Sequence, residues 1–123
     1  MKRDMDLIRQ IALTLEDAPT GYVLDGISVE GDTDEEVGYH QYLMLEAGLG
    51  RGADTTVLGS TSPTAQLTGL TWEGHEFAEA ARADTLWAKA KRFIIDKGGP
   101  MTLSILQAVL KKLAAEQLGI KLD

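Results

Sequence analysis

The chain of 123 residues contains no cysteine. Disulfides, thiolate zinc sites, iron–sulfur clusters and thiol nucleophiles are excluded together, because each needs a Cys sulfur. No apolar stretch approaches the roughly 18 to 20 residues that span a bilayer, since Glu, Lys, Gln or Gly recurs every few positions. The first six residues, Met1 to Asp6, carry a basic pair and then acids where a secretion signal would be apolar. A cytoplasmic protein with no membrane partner is therefore expected. Also absent are a Gly-x-Ser-x-Gly elbow, a phosphate-binding loop and a dinucleotide fingerprint. Ser60, Ser62 and Ser104 have no identifiable base, and carboxylates are too numerous for one pair to stand out as general acid and base. The expectation is a protein that is not an enzyme and holds no cofactor.

Positive charge is scarce where nucleic-acid binding would need it. The net charge is -7, but sixteen of the nineteen acids and only five of the twelve bases fall in residues 1 to 85, a net of -11 against +4 for the remainder. Cations that displace counterions from phosphates supply most non-specific affinity for DNA, so the first two thirds of the chain repels that ligand. A DNA surface would have to use the polar segment around Ser60 to Thr64 together with the strip Lys89, Lys91 and Arg92 on the backbone. Such residues on a helix more often serve as a solvated face.

What is present is a composition of 44% hydrophobic and 25% charged residues, that of one globular domain with a sizeable core. Asp4 caps an expected helix over 4 to 17, whose Met5, Ile8, Ala12 and Leu15 recur at helical spacing. Residues 22 to 29 alternate enough, with β-branched and aromatic side chains, to predict a strand. Asp32 or Thr33 caps a second helix that opens with Asp34-Glu35-Glu36 and ends at Ala47, where Gly48 turns left-handed and Leu49 folds back. Residues 55 to 59 and 65 to 70 predict a hairpin around the polar tip Ser60 to Thr64, a wing. Thr71 caps a third helix, a fourth starts at Asp84 and stops at Gly98-Gly99-Pro100, and Thr102 caps the last. Trp72 and Trp87 are expected in the core, and Gly74 is expected to allow a close helix approach. In the last helix Leu106, Leu110 and Leu113 form a stripe that either packs within the chain or makes a self-association seam; the seam and a homodimer are the expectation.

The order helix, strand, helix, hairpin, helix resembles a winged-helix domain that has lost one helix of its helix-turn-helix. The local text is more specific. Met1 to Arg9, then Tyr39-His40 with Leu43 and Glu46-Ala47-Gly48-Leu49, then Leu70-Thr71-Trp72-Glu73-Gly74-His75-Glu76-Phe77, resemble the phage- and prophage-associated family of domain of unknown function 2513. That resemblance implies a fold and a phage context; it brings no activity and no catalytic residues. The fold expected is α+β, a winged-helix-like domain over 1–83 followed by a C-terminal helical extension over 84–123.

In a DNA-reading winged helix, the helix before the wing offers cations and amides to the major groove. Here that helix has three acids at its start and no Lys or Arg, and carboxylates within about 10 Å of a phosphate oppose docking. It suits a protein partner better. Asp34, Glu35, Glu36, Gln41 and Tyr42 are the expected contact residues, with DNA binding as the alternative. His40 and His75 suggest a metal site, but they lack ligand spacing, so backbone-bonded structural roles and no metal are expected.

Overall fold

The computed structural model describes residues 1–121, an α+β architecture of five helices and one two-stranded antiparallel hairpin. The elements are α1 (Met5–Glu16), α2 (Asp34–Glu46), β1 (Gly50–Asp54), β2 (Ala65–Leu70), α3 (Trp72–Ala81), α4 (Asp84–Asp96) and α5 (Leu103–Leu118). The chain forms two compact units that divide within α3, after Ala78. Residues 122 and 123 of the expected extension lie outside those described.

Helix boundaries follow their capping chemistry. The Asp4 carboxylate accepts the N–H groups of Asp6 and Leu7 at 2.9 and 3.3 Å. Thr33 and Glu36 close a reciprocal capping box at the start of α2, each side chain accepting the other's backbone N–H. At its end Gly48 has φ 75 and the Leu49 N–H reaches back to the Met44 carbonyl at 2.9 Å, which buries Leu49. Thr71 caps α3 through the Gly74 N–H at 3.0 Å and donates its hydroxyl to the Gly48 carbonyl at 2.6 Å, fixing α3 to the end of α2. A side chain at position 74 would strike the Leu49 carbonyl, so the close approach expected there is real.

In the first unit α1 buries Leu7, Ile8, Ile11, Ala12 and Leu15, and it packs against α2 and β2. Val37 and Met44 from α2, Leu67 and Leu70 from β2 and Phe77 from α3 are buried with them. In the second unit α4 and α5 pack on each other, with Trp87, Ala90 and Ile94 buried on α4 and Leu106 and Leu110 on α5.

Three expectations need correction. The segment 22 to 29 is irregular and not a strand. It touches β2 through the Val23 N–H on the Thr68 carbonyl at 2.8 Å and through the Gln66 amide on the Leu24 carbonyl at 3.2 Å. The bonds do not extend into a ladder, and Tyr22 and Leu24 remain 71% and 73% exposed. The first wing strand lies at Gly50–Asp54, before the expected 55 to 59. Thr55 adds one further backbone bond, to Thr64, and the Asp54 carboxylate then accepts the Thr56 N–H and turns the chain away. The two glycines of β1 hid it, since glycine has poor strand propensity. Trp72 is 75% exposed. It stands five residues before the buried Phe77, about 140° around the helix.

Candidate binding surface on the second helix and the wing

The wing lies along α2. Glu35 accepts the Thr61 hydroxyl at 3.1 Å on one carboxylate oxygen and the Ser62 hydroxyl at 3.2 Å on the other, which holds the wing tip at the first turn of the helix. One turn on, Thr64 sits against Gly38, where a Cβ would come within 3.0 Å of its methyl group. Further along the same i, i+4 row stand Tyr42 and Glu46. The charge of Glu46 is the main cause that raises the Tyr42 phenol above its ordinary value, with burial and Asp54 of β1 adding to it. Asp54 in turn is held below the ordinary carboxylate value by the Thr56 hydroxyl and backbone N–H. Glu36 is lowered mainly by the Thr33 backbone N–H and next by the Thr33 hydroxyl. The face that α2 shares with the wing thus carries Asp34, Glu35, Glu46 and Asp54 as anions, and no base stands on α2 to offset them.

Of the five residues expected to contact a partner, Asp34 and Glu35 are exposed, Glu36 and Tyr42 half-buried, and Gln41 buried. Gln41 is a correction. Its Oε1 accepts the Leu67 N–H and its Nε2 donates to the Val37 carbonyl at 3.4 Å, so both polar ends serve the junction of helix and wing. Glu36 is committed to the capping box. Glu46 and Asp54 were missed because they lie twelve and twenty residues after Asp34, and Asp54 was read as loop. The i+4 step from Tyr42 to Glu46 was the available signal.

His40 is buried and its ring bonds only to backbone. Nε2 accepts the Asp4 N–H at 2.8 Å, so Nδ1 carries the proton and donates it to the Glu36 carbonyl at 2.7 Å. The structural role expected for it holds, although it ties α2 to the cap of α1 and not to α3. His75 instead meets the Glu16 carboxylate at 3.3 Å. Among the described residues no group of three His, Asp or Glu side chains is placed to hold a metal ion.

The expected self-association seam is also corrected. Leu106 and Leu110 are 0% and 1% exposed within the single chain, leaving no surface for a second copy, and Leu113 is half-buried. Of the basic strip, Lys89 and Arg92 are exposed, whereas Lys91 is half-buried with its ammonium 5.9 Å from the centre of the Trp87 ring. Among the described residues no helix is long and apolar enough to cross a membrane.

Comparison with known proteins adds a family but no activity. The family model described as "Hypothetical protein (DUF2513)" matches residues 2–100. A protein of Haemophilus influenzae named only "Uncharacterized protein" is 36% identical over 122 residues, covering 97% of this chain and 100% of that one. No solved structure matches. The likeness thus runs through α1, α2, the wing, α3 and α4, with the text Tyr39-His40 in α2 and Gly74-His75 in α3, and the chain belongs to the DUF2513 family.

Proposed function

We infer that the protein is a non-enzymatic, winged-helix-type binding module of phage or prophage origin that works in the cytoplasm and docks a basic surface of another protein on the acidic face of α2 and the wing. The observation that carries this reading is the row Asp34, Gly38, Tyr42 and Glu46 at four-residue steps on α2, with both acids exposed, beside the wing tip held on Glu35. A half-buried aromatic ringed by carboxylates is a natural seat for lysine or arginine, because its ring adds apolar contact while the anions attract the cation. The element order α1, α2, wing, α3 supports the winged-helix part of the reading, with the Val23 contact standing where a third strand would be. The phage setting rests on the family text alone.

The contact set becomes Asp34, Tyr42, Glu46 and Asp54, since Gln41 is buried, Glu36 is committed to the capping box and Glu35 to the wing tip. Affinity capture should retain a partner on the native protein and lose it on an Asp34→Lys, Glu46→Lys double variant that keeps its helical circular dichroism. Retention on both would sink the acidic-face reading. The alternative, a DNA-binding regulator, predicts binding to mixed-sequence duplex that weakens steeply as salt rises and vanishes when Lys89, Lys91 and Arg92 are neutralised. That result would replace the protein-binding reading.

A further inference from the structure

The second unit carries a face of opposite character. Phe93 is 40% exposed on α4, and two ammonium groups lie near its ring, that of Lys97, which caps the end of this helix, at 5.9 Å from the centroid and that of Lys112 of α5 at 5.7 Å. Lys89, Phe93 and Lys97 follow one another at four-residue steps, so they share one row on the helix. Beside this row the α4–α5 seam opens into a shallow groove of about 380 Å³, in which Leu86 and Leu113 are apolar and Lys89 and Glu116 are charged. A second groove of about 230 Å³ continues past Glu116 between Lys112 and Lys121. Apolar side chains lie at intervals along the seam, lysines stand around them, and among the described residues Glu116 is the acid lining the two grooves.

We propose that this seam is a docking groove for an acidic amphipathic helix of another protein, one that sets leucine-like side chains over Leu86, Phe93 and Leu113 and carboxylates on Lys89, Lys97 and Lys112. The argument is charge complementarity on an aliphatic floor. An apolar row laid between two packed helices is the geometry by which a helical segment is recognised. The lysines around it favour acids in the flanking positions and reject basic helices. A single-stranded nucleic acid fits less well. Base stacking needs open aromatic faces in series, whereas the apolar lining of the groove is the aliphatic Leu86 and Leu113.

The test uses the full chain and a synthetic helical peptide with leucines at i, i+4 and i+7 and glutamates at the flanking positions, titrated by fluorescence anisotropy. Binding is expected at roughly micromolar to tens of micromolar, weakening at least about tenfold in a Lys97→Glu, Lys112→Glu variant and about as much when the peptide's leucines become alanine. A Lys97→Arg, Lys112→Arg variant should bind like the native chain, which separates loss of charge from loss of fold. An Asp34→Lys, Glu46→Lys variant should also bind unchanged, so failure of this proposal is distinguishable from failure of the acidic-face reading. The proposal is overturned by absence of peptide binding, by binding indifferent to the charge reversal, or by tighter binding of a single-stranded oligothymidine. It is overturned equally if the mass in solution doubles in the native chain and not in the reversed variant, because the occupant is then a second copy.

Discussion

Residues 1 to 78 carry fourteen acids and four bases, and the rest of the chain eight bases and five acids, so one unit is strongly anionic at -10 and the other cationic at +3. The contrast extends to how each is specified. In the first unit buried polar side chains join segments far apart in sequence: His40 receives the Asp4 N–H, and Gln41 receives that of Leu67. In the second, two helices start from Ala83 and the Thr102 cap and meet through Trp87, Ala90, Ile94, Leu106 and Leu110. Polar junctions such as the first unit's cost desolvation if mispaired, so they fix one arrangement of helix and hairpin. An apolar seam tolerates more variation and leaves its rim free for charge. The two units therefore differ in the sign of their charge and in the means by which their scaffolds are held.

The sharpest way to break this contrast is Leu110→Ala. Core burial predicts a loss of about 2 to 5 kcal/mol, read as a lower urea midpoint with the mass in solution unchanged. Were Leu110 a seam between copies, the variant would change mass and leave the midpoint nearly alone. Next in size is Gln41→Leu, which keeps the buried volume but leaves the Leu67 N–H without its acceptor. A loss of about 1 to 3 kcal/mol is expected, with faster amide exchange at Leu67. A neutral result there would mean that the hairpin is held by apolar contact alone.

Much of this architecture was legible. Helix starts at Asp4, Thr33, Thr71 and Thr102 were readable because capping is local chemistry, with donor and acceptor two or three residues apart. Gly48 and Leu49 announced the end of α2 for the same reason. The failures were non-local. Nothing near residues 22 to 29 reveals that the segment meets β2 only through bonds of Val23 and Leu24 to residues some forty positions on. Trp72 obeyed its helix phase and not its hydrophobicity. Of the acidic face, the Asp34 and Tyr42 positions were legible, but the arrival of Asp54 depended on where β1 lies, and that was hidden by its glycines.

A smaller effect tests the junction of cap and charge. Thr33→Ala removes the acceptor for the Glu36 N–H and should cost about 1 kcal/mol in thermal or urea unfolding. The Glu36 carboxylate has its folded value below the ordinary 4.5, so its contribution is fully present above that value and is lost as pH falls through the folded one. Glu36→Gln should therefore flatten the acid limb of the stability curve between pH 4.5 and the lower folded value. If the limb is unchanged, the capping box does not hold the charge.

The smallest expected effect concerns the acidic face itself and changes a titration more than a stability. Tyr42 is raised above 10.0 mainly by Glu46, so in an ultraviolet difference titration one of the three tyrosines should ionise late. Its folded value lies above the unfolded one, so the neutral phenol's contribution is present below pH 10 and is lost as pH rises through the folded value. Glu46→Gln should bring that late ionisation back toward 10 and Asp54→Asn should do so by less, following the order of their influence. Added salt should act like a weaker Glu46→Gln, because it screens charges at an open surface. If instead neither substitution moved the late tyrosine, the carboxylates from helix and wing would not converge on Tyr42. The acidic face would then be a scatter of solvated charges, and the contrast with the lysine-rimmed seam of α4 and α5 would reduce to net charge alone.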